Sequence, residues 1–485
     1  MKKLMTLALA AGMLLGAATG ASAIDFKAKG QWLMGFAAGD GALVSHKKAD
    51  KASNHNKATN TDDTFSAMQR LRLQLDAVAS ESLSGTVYFE IGDTTWGQNV
   101  SGGALGADQK IVELKNAYID WMVPNTDLKL RMGIQGLSMP NVAGGSAVLF
   151  DDAAAVVANY QFNENVGASL FWLRAENDNR TGGYGIDETN PYSDAMDFIG
   201  LTVPLTFDGV KVTPWVMYAA MGPGMFGGLD NKGAVLGGNA AGRATAGMVS
   251  GFKGSDWNDT YGNAFWAGVT GEVTLWDPFR IAWDVNYGSA AYEDQKLNRE
   301  GWLASLLLEY KLDWGTPGLY GWYSTGDDNN PRNGSERMPV VSANGNNDFS
   351  NFAFNGNPYI AREGILGSTM VGTWGIGARL KDMSFLEDLK HTLRVNFMGG
   401  TNAPKMAKYV REGYDEFARE HKRGTELAYE LGAYDPLYLT TEDYALEIGL
   451  TNTYKMYDNF TVMLDAAYIA MWLDDSRSTW GKNPG

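Results

Sequence analysis

Hydrophobic and polar residues alternate along Thr64 to Ser80, TFSAMQRLRLQLDAVAS, with Met68, Gln69 and Val78 as the exceptions. Phe65, Ala67, Leu71, Leu73, Leu75, Ala77 and Ala79 fall on one parity, and Arg70, Arg72, Gln74 and Asp76 on the other. A period of two places the sets on opposite faces of a strand. The stretch exceeds the five or six residues usual for a soluble strand, and suits one that crosses a bilayer at a tilt. The same alternation recurs at Phe26–Phe36, Leu128–Gln135, Phe279–Gly288, Gly301–Tyr310 and Phe460–Trp472. Connections between such stretches are short, then long, in turn. Turn-forming residues mark the short ones at Glu81-Ser82, Pro124-Asn125, Asn163-Glu164, Phe207 to Gly209, Asp277-Pro278, Gly315 to Pro317, Met383 to Glu387 and Tyr457 to Asn459. Long loops cover about 38–63, 93–110, 136–152, 175–194, 222–262, 288–299, 326–365 and 400–442. Loops sorted by length to two ends are expected of an up-and-down barrel threaded from one side of a membrane.

The pattern therefore predicts an all-β fold: a transmembrane antiparallel up-and-down β-barrel of about 16–18 strands. The loop after the fifth strand, Gly136 to Asp152, mixes Gly, Pro and apolar residues with two carboxylates, and is expected to fold into the lumen as a constriction. Lys405 to Tyr429 departs from the strand period, with Met406, Tyr409, Val410, Tyr414 and Phe417 at helical spacing, and predicts one helical outer loop. About seventeen strands are countable, whereas closed bacterial barrels are even-numbered. Either one strand escapes the count or a closing C-terminal strand is missing, and the second is the expectation.

Composition changes the picture at the N-terminus first. Lys2 and Lys3, the apolar run Leu4 to Leu15 and Ala21-Ser22-Ala23 read as a secretory signal peptide over residues 1–23, leaving 24–485 as one barrel domain. The net charge of -16 becomes -18 once Lys2 and Lys3 leave with it. That balance argues against a nucleic-acid partner, which wants a basic face. Cysteine is absent, which excludes disulfides and thiol chemistry.

Candidate chemistry is confined to charges on the wet face. Arg70, Arg72, Lys129 and Arg131 share one parity on nearby strands, and Asp151 and Asp152 lie in the expected constriction loop. Facing one another they would impose a transverse field on the pore. Asp327-Asp328-Asn329-Asn330 offers oxygen ligands for a loop-bound calcium, without the spacing of a helix-loop-helix site. Otherwise no cofactor is expected. His46, His55, His391 and His421 have no metal-ligand spacing, and no nucleophile motif appears, so no enzyme is expected.

Leu114 to Pro140, LKNAYIDWMVPNTDLKLRMGIQGLSMP, Gly321 to Asn329, GWYSTGDDN, and the leader followed by IDFKAKGQWLMGF resemble the homotrimeric outer-membrane porins of sulfate-reducing bacteria. The resemblance runs over essentially the whole mature chain. It implies a trimer of barrels in the outer membrane of a Gram-negative bacterium, each with a water-filled pore and an inward loop after the fifth strand. Partners would be the other protomers, membrane lipid and lipopolysaccharide, and small solutes and ions. Porins of this type end on a strand with a terminal aromatic, whereas this sequence ends Asn483-Pro484-Gly485.

The expected function is passive diffusion of small hydrophilic solutes and ions. The rivals are a barrel enzyme, which would need a Ser or Asp with a His on neighbouring outward strand ends, and a surface β-protein binding glycans or partners. The latter would be soluble without detergent and would lack the lipid-facing stripe.

Overall fold

The computed structural model describes residues 24–39, 64–106, 108, 111–144, 148–177, 180–181, 185–186, 195–222, 247–248, 250, 261–343, 347–354, 366–367, 369–407, 409 and 438–474. The leader (1–23) and nearly all of the expected helix (405–429) lie outside these residues. Of that helix only its first residues are described, beginning in a 3-10 turn at Pro404–Met406.

The chain is a meander of strands: β1 (Asp25–Gly39), β2 (Thr64–Ser80), β3 (Leu83–Thr95), β4 (Val112–Met122), β5 (Leu128–Ser138), β6 (Leu149–Gln161), β7 (Gly167–Asn177), β8 (Arg180–Thr181), β9 (Gly185–Ile186), β10 (Ala195–Thr202), β11 (Leu205–Phe207), β12 (Val210–Met221), β13 (Gly262–Val273), β14 (Phe279–Tyr292), β15 (Arg299–Tyr310), β16 (Thr316–Ser324), β17 (Ser342–Ala343), β18 (Thr373–Leu386), β19 (Leu389–Gly400), β20 (Tyr444–Tyr457) and β21 (Phe460–Trp472). Each wall strand pairs antiparallel with the next. β10 and β11 share one wall position, because both pair with β12 across the break at Val203-Pro204. β8 and β9 form a separate small hairpin, and β17 belongs to a loop. The wall thus has seventeen positions among the described residues. Its edges, β1 and β21, run in the same direction, and no pairing joins them among the described residues.

Short turns gather at one end. Examples are Glu81-Ser82 between β2 and β3 and Asp458-Asn459 between β20 and β21. Several boundaries differ from expectation, among them β14, which runs on to Tyr292 into the loop expected at 288–299. β5 runs on to Ser138 and β6 already starts at Leu149, so Asp151 and Asp152 are strand residues. The stretch expected as a turn at Met383 to Glu387 is mostly strand. Two register shifts carry β18 to Leu386, and the turn is Glu387-Asp388.

Side-chain parity separates two environments. On β15, Trp302, Leu306, Leu308 and Tyr310 are exposed, while Leu303, Leu307 and Glu309 are buried. On β20, Tyr444, Ile448, Leu450 and Tyr454 are exposed, and Ala445 and Glu447 are buried. The exposed face is aliphatic in the middle and aromatic at both ends. Tyr160 with Phe162, Phe279 with Tyr310, Trp314 with Phe385 and Tyr457 with Phe460 pair at the short-turn end. Phe36 with Trp96, Tyr287 with Trp302 and Phe397 with Tyr444 pair at the other. From Tyr444 to Tyr454 a tilted strand rises about 25 Å, the height of the apolar band on membrane barrels. No described helix is long and apolar enough to cross a membrane.

The other face is charged and carries a buried apolar cluster that spans wall and loops. It includes Phe198, Trp266 and Trp322 from strands, and Met139, Val148, Met338, Phe349 and Phe354 from the connecting segments. Those segments come from the long-loop end and pack against the charged face, which makes it the inside of the curved sheet.

Candidate constriction in the lumen

Two connections enter the lumen. The first is the expected loop after β5. Its Val142 and Ala143 N–H groups donate to the carboxylate of Asp284 on β14, at 2.9 and 2.7 Å. Ser305 adds a hydroxyl to the same group at 3.3 Å. β14 lies well around the wall from β5, so the loop leaves its own strands and crosses the interior. Asp284 is 1 % exposed, and buried carboxylates need such donors.

The second inward connection lies between β16 and β18 and was not anticipated. Glu447 on β20, fully buried, accepts the N–H groups of Asn351, Phe352 and Ala353 at 3.1, 2.7 and 3.1 Å. Asn396 on β19 donates to the same carboxylate at 2.9 Å and to the Phe349 carbonyl at 2.8 Å. The Phe349 ring stacks on Tyr320 of β16 at 4.3 Å between centroids.

The two loops are also joined to each other. Asp348 N–H donates to the Gly144 carbonyl at 2.9 Å, and Val341 N–H to that of Val148 at 2.8 Å. β17 adds in parallel to the start of β6. A Cβ at Gly144 would stand 2.5 Å from the Phe349 ring, so only glycine admits this approach. A wall carboxylate holding successive backbone N–H groups at each end, with the loops stitched between, makes one body out of two segments.

Charges form a continuous row that runs along the wall and ends on Asp348 of this body. Lys211 (β12) and Arg280 (β14) share Glu272 (β13) at 3.0 and 2.9 Å. Arg280 and Arg379 (β18) share Glu309 (β15) at 2.8 and 2.7 Å. Arg379, Lys381 and Arg394 converge on Asp348 at 2.6, 3.5 and 3.0 Å. Glu309 and Arg379 are two strands apart. They meet because Gly318 of β16, in register with both, has no side chain to separate them. Burial alone would raise the Asp348 carboxyl. The Arg379 guanidinium, with Lys381 and Arg394, more than offsets this and holds it below the usual carboxylate value.

The residues expected from sequence sit on the wall as follows. Arg70 forms a two-bond pair with Asp93, both at 2.5 Å, and Arg72 bonds Glu90 at 2.6 Å, so both are matched by carboxylates of β3. Arg131 makes a two-bond pair with Asp120 of β4 at 2.7 and 2.8 Å, and Lys129 reaches the same group at 3.3 Å. Asp152 bonds Lys115 and Asn116 of β4 at 2.5 and 2.8 Å, and Asp151 accepts the Asp152 N–H at 2.8 Å. Each cation of the set is thus paired with a carboxylate of the adjacent strand. In the Asp327–Asn330 stretch, Asp327 accepts the Ser335 and Tyr438 hydroxyls, both at 2.5 Å, and Asp328 accepts the Asn330 N–H at 2.6 Å. Among the described residues no three acidic or histidine side chains converge as metal ligands.

Sequence reasoning missed Asp284 and Glu447 as anchors. The signal was present but unspecific: each is a carboxylate on the wet parity of its strand. Which of many such residues meets a loop depends on contacts more than ninety residues apart.

No family model and no curated protein matches the chain. Among solved structures it is similar to Pseudomonas aeruginosa OccK3 (OpdO), at 12% identity over 92% of this chain and 91% of that one, with a TM-score of 0.49. It is likewise similar to P. aeruginosa OprD, at 11% identity over 93% and 91%, TM-score 0.47. A third is P. aeruginosa OpdQ, at 12% identity over 92% and 93%, TM-score 0.47. The resemblance to porins of sulfate-reducing bacteria has no counterpart among these matches.

Proposed function

We propose that the chain is an outer-membrane porin, a water-filled channel through which small hydrophilic solutes and ions diffuse passively. The observation that carries this reading is the opposed polarity of the two faces of one curved sheet. Outside is an aliphatic band between two sets of aromatic pairs; inside is a wall of charges. Water inside and lipid outside satisfy both at once, whereas in water alone the outer band would stand exposed. The joined inward loops narrow the lumen against the charge row. Arg70, Arg72, Lys129, Arg131, Asp151 and Asp152 contribute to the field on the β2–β6 side. No chemical step is required.

The reading extends to export through the leader, to a trimer of barrels each with its own pore, and to lipid and lipopolysaccharide as the surroundings of the band. Protein purified in detergent and added to a planar bilayer is expected to give stepwise conductance. Steps in groups of three support the trimer, single steps a lone pore. No conductance from a folded sample overturns the channel.

A further inference from the structure

Three buried polar atoms on adjoining lumen-facing positions have no hydrogen-bond partner among the described residues: Trp215 Nε1 on β12, Thr270 Oγ1 on β13 and Asn286 Oδ1 on β14. All three residues are at least nine-tenths buried, at 3, 0 and 3 % exposure. The register brings them together. Trp215 and Asn286 are the two partners of Gly268, and Thr270 is two residues along the same face. The Trp215 indole lies over Gly268, with Nε1 2.6 Å from the point a Cβ there would occupy. Neighbouring positions on one sheet face are about 5 Å apart across strands and about 7 Å apart along one. Thr270 is also the register partner of Asp284, the anchor of the first inward loop.

Leaving one buried polar group unpaired costs about 1–3 kcal/mol, and three in one place call for a shared partner. The atoms dictate its chemistry. The indole N–H only donates, the amide oxygen only accepts, and the hydroxyl does either. A cation would face the indole hydrogen, and an anion the amide oxygen. A small neutral molecule that both donates and accepts fits all three.

We propose that one buried water molecule is bound here as a fixed part of the wall behind the constriction. It accepts from Trp215 Nε1–H and from the Thr270 hydroxyl and donates to Asn286 Oδ1. Three hydrogen bonds are the usual complement of an internal water.

A crystal structure of the full chain, at a resolution that shows ordered water, is expected to place one water within hydrogen-bond distance of all three atoms. A dry site, or a protein group bonded to them instead, overturns the proposal. Denaturant unfolding gives an independent reading. Thr270→Val and Asn286→Leu are each expected to lower the midpoint, because each strands the remaining partners. Trp215→Phe/Thr270→Val/Asn286→Leu is expected to recover most of that loss, since no orphan is left. Losses that simply add across the three positions would count against a shared molecule. Neither readout involves conductance, so the site is tested apart from the channel.

Discussion

At the scale of single residues, what holds the lumen wall together is how charges reach one another. Glu309 is 8 % exposed and serves two arginines. Removing one member of a buried pair leaves an uncompensated charge and costs about 3–5 kcal/mol. Glu309→Ala is therefore expected to lower stability by about 3 kcal/mol or more in denaturant unfolding, moderated where Arg379 keeps Asp348. Gly318→Val is expected to act in the same direction without touching a charge, because its methyls would enter the space where Glu309 and Arg379 meet. A valine tolerated there without loss would show that the pair does not depend on the gap. This gap is also the clearest case of what the sequence conceals. The alternation around Leu303 to Glu309 and around Thr373 to Arg379 is plain, so the facing of both charges was legible. That they meet across a third strand depends on one glycine standing in register with both, and register is set by turns and bulges rather than by local pattern.

The Asp348 carboxyl adds a pH dependence at the same scale. Its folded pKa lies below the unfolded value. The stability it contributes is therefore fully present above about pH 4, the unfolded carboxylate value, and is lost as pH falls through the lower folded value. The part of the channel current that depends on Asp348 is expected to be steady from neutral pH to about pH 4 and to change on stronger acidification. Asp348→Asn should show the altered current already at neutral pH and remove that acid transition. A variant that keeps the transition would assign it to another group.

At the scale of elements, the two inward loops rest on two wall carboxylates. Asp284→Ala strands the N–H groups of Val142 and Ala143, and Glu447→Ala those of Asn351, Phe352 and Ala353. Each stranded buried group costs about 1–3 kcal/mol, so the loop is expected to leave its place rather than keep it. Single-channel conductance should rise in both variants. Because the loops are stitched through Gly144, Asp348, Val148 and Val341, the rise in the double variant should be smaller than the sum of the two single rises. Independent, additive increases would mean two separate constrictions. The first loop was legible because Gly136 to Asp152 is too apolar for an outer loop. The second was not: the stretch from Gly326 onward is mostly polar, and its buried apolar residues come as one four-residue run, Met338 to Val341, and as Phe349 among Asn, Asp and Ser.

At the scale of the whole molecule, the outer band and the inner row make opposite demands on a charge, and both can be measured. Leu306 stands midway between Trp302 and Tyr310 on the outer face of β15, whereas Phe460 sits at the short-turn rim. An arginine on the lipid face of a barrel costs about 2–4 kcal/mol at the midplane and about 0–1 near the interface. Leu306→Arg should therefore destabilise the vesicle-folded protein far more than Phe460→Arg; equal effects would place the band elsewhere.

Inside, the row from Lys211 to Arg394 joins five cations, Lys211, Arg280, Arg379, Lys381 and Arg394, to three carboxylates, Glu272, Glu309 and Asp348, among the described residues. It is thus positive in a chain whose net charge is -16, the two anchor carboxylates Asp284 and Glu447 being buried beneath the loops and matched by loop N–H groups. A permeating ion responds to the charges within about 10 Å at 0.1 M salt and not to the net charge of the whole chain. The reversal potential in a salt gradient should accordingly have the sign of anion preference, and the preference should weaken as salt is raised. Lys211, at 62 % side-chain exposure, and Lys381, at 37 %, are the cations of the row most open to water. Reversing both, Lys211→Glu with Lys381→Glu, changes the row from a surplus of two positive charges to a surplus of two negative ones, and the sign of the potential should follow. A cation preference in the unaltered protein would mean that the field at the constriction is set by other charges, with the β2–β6 side the next place to look.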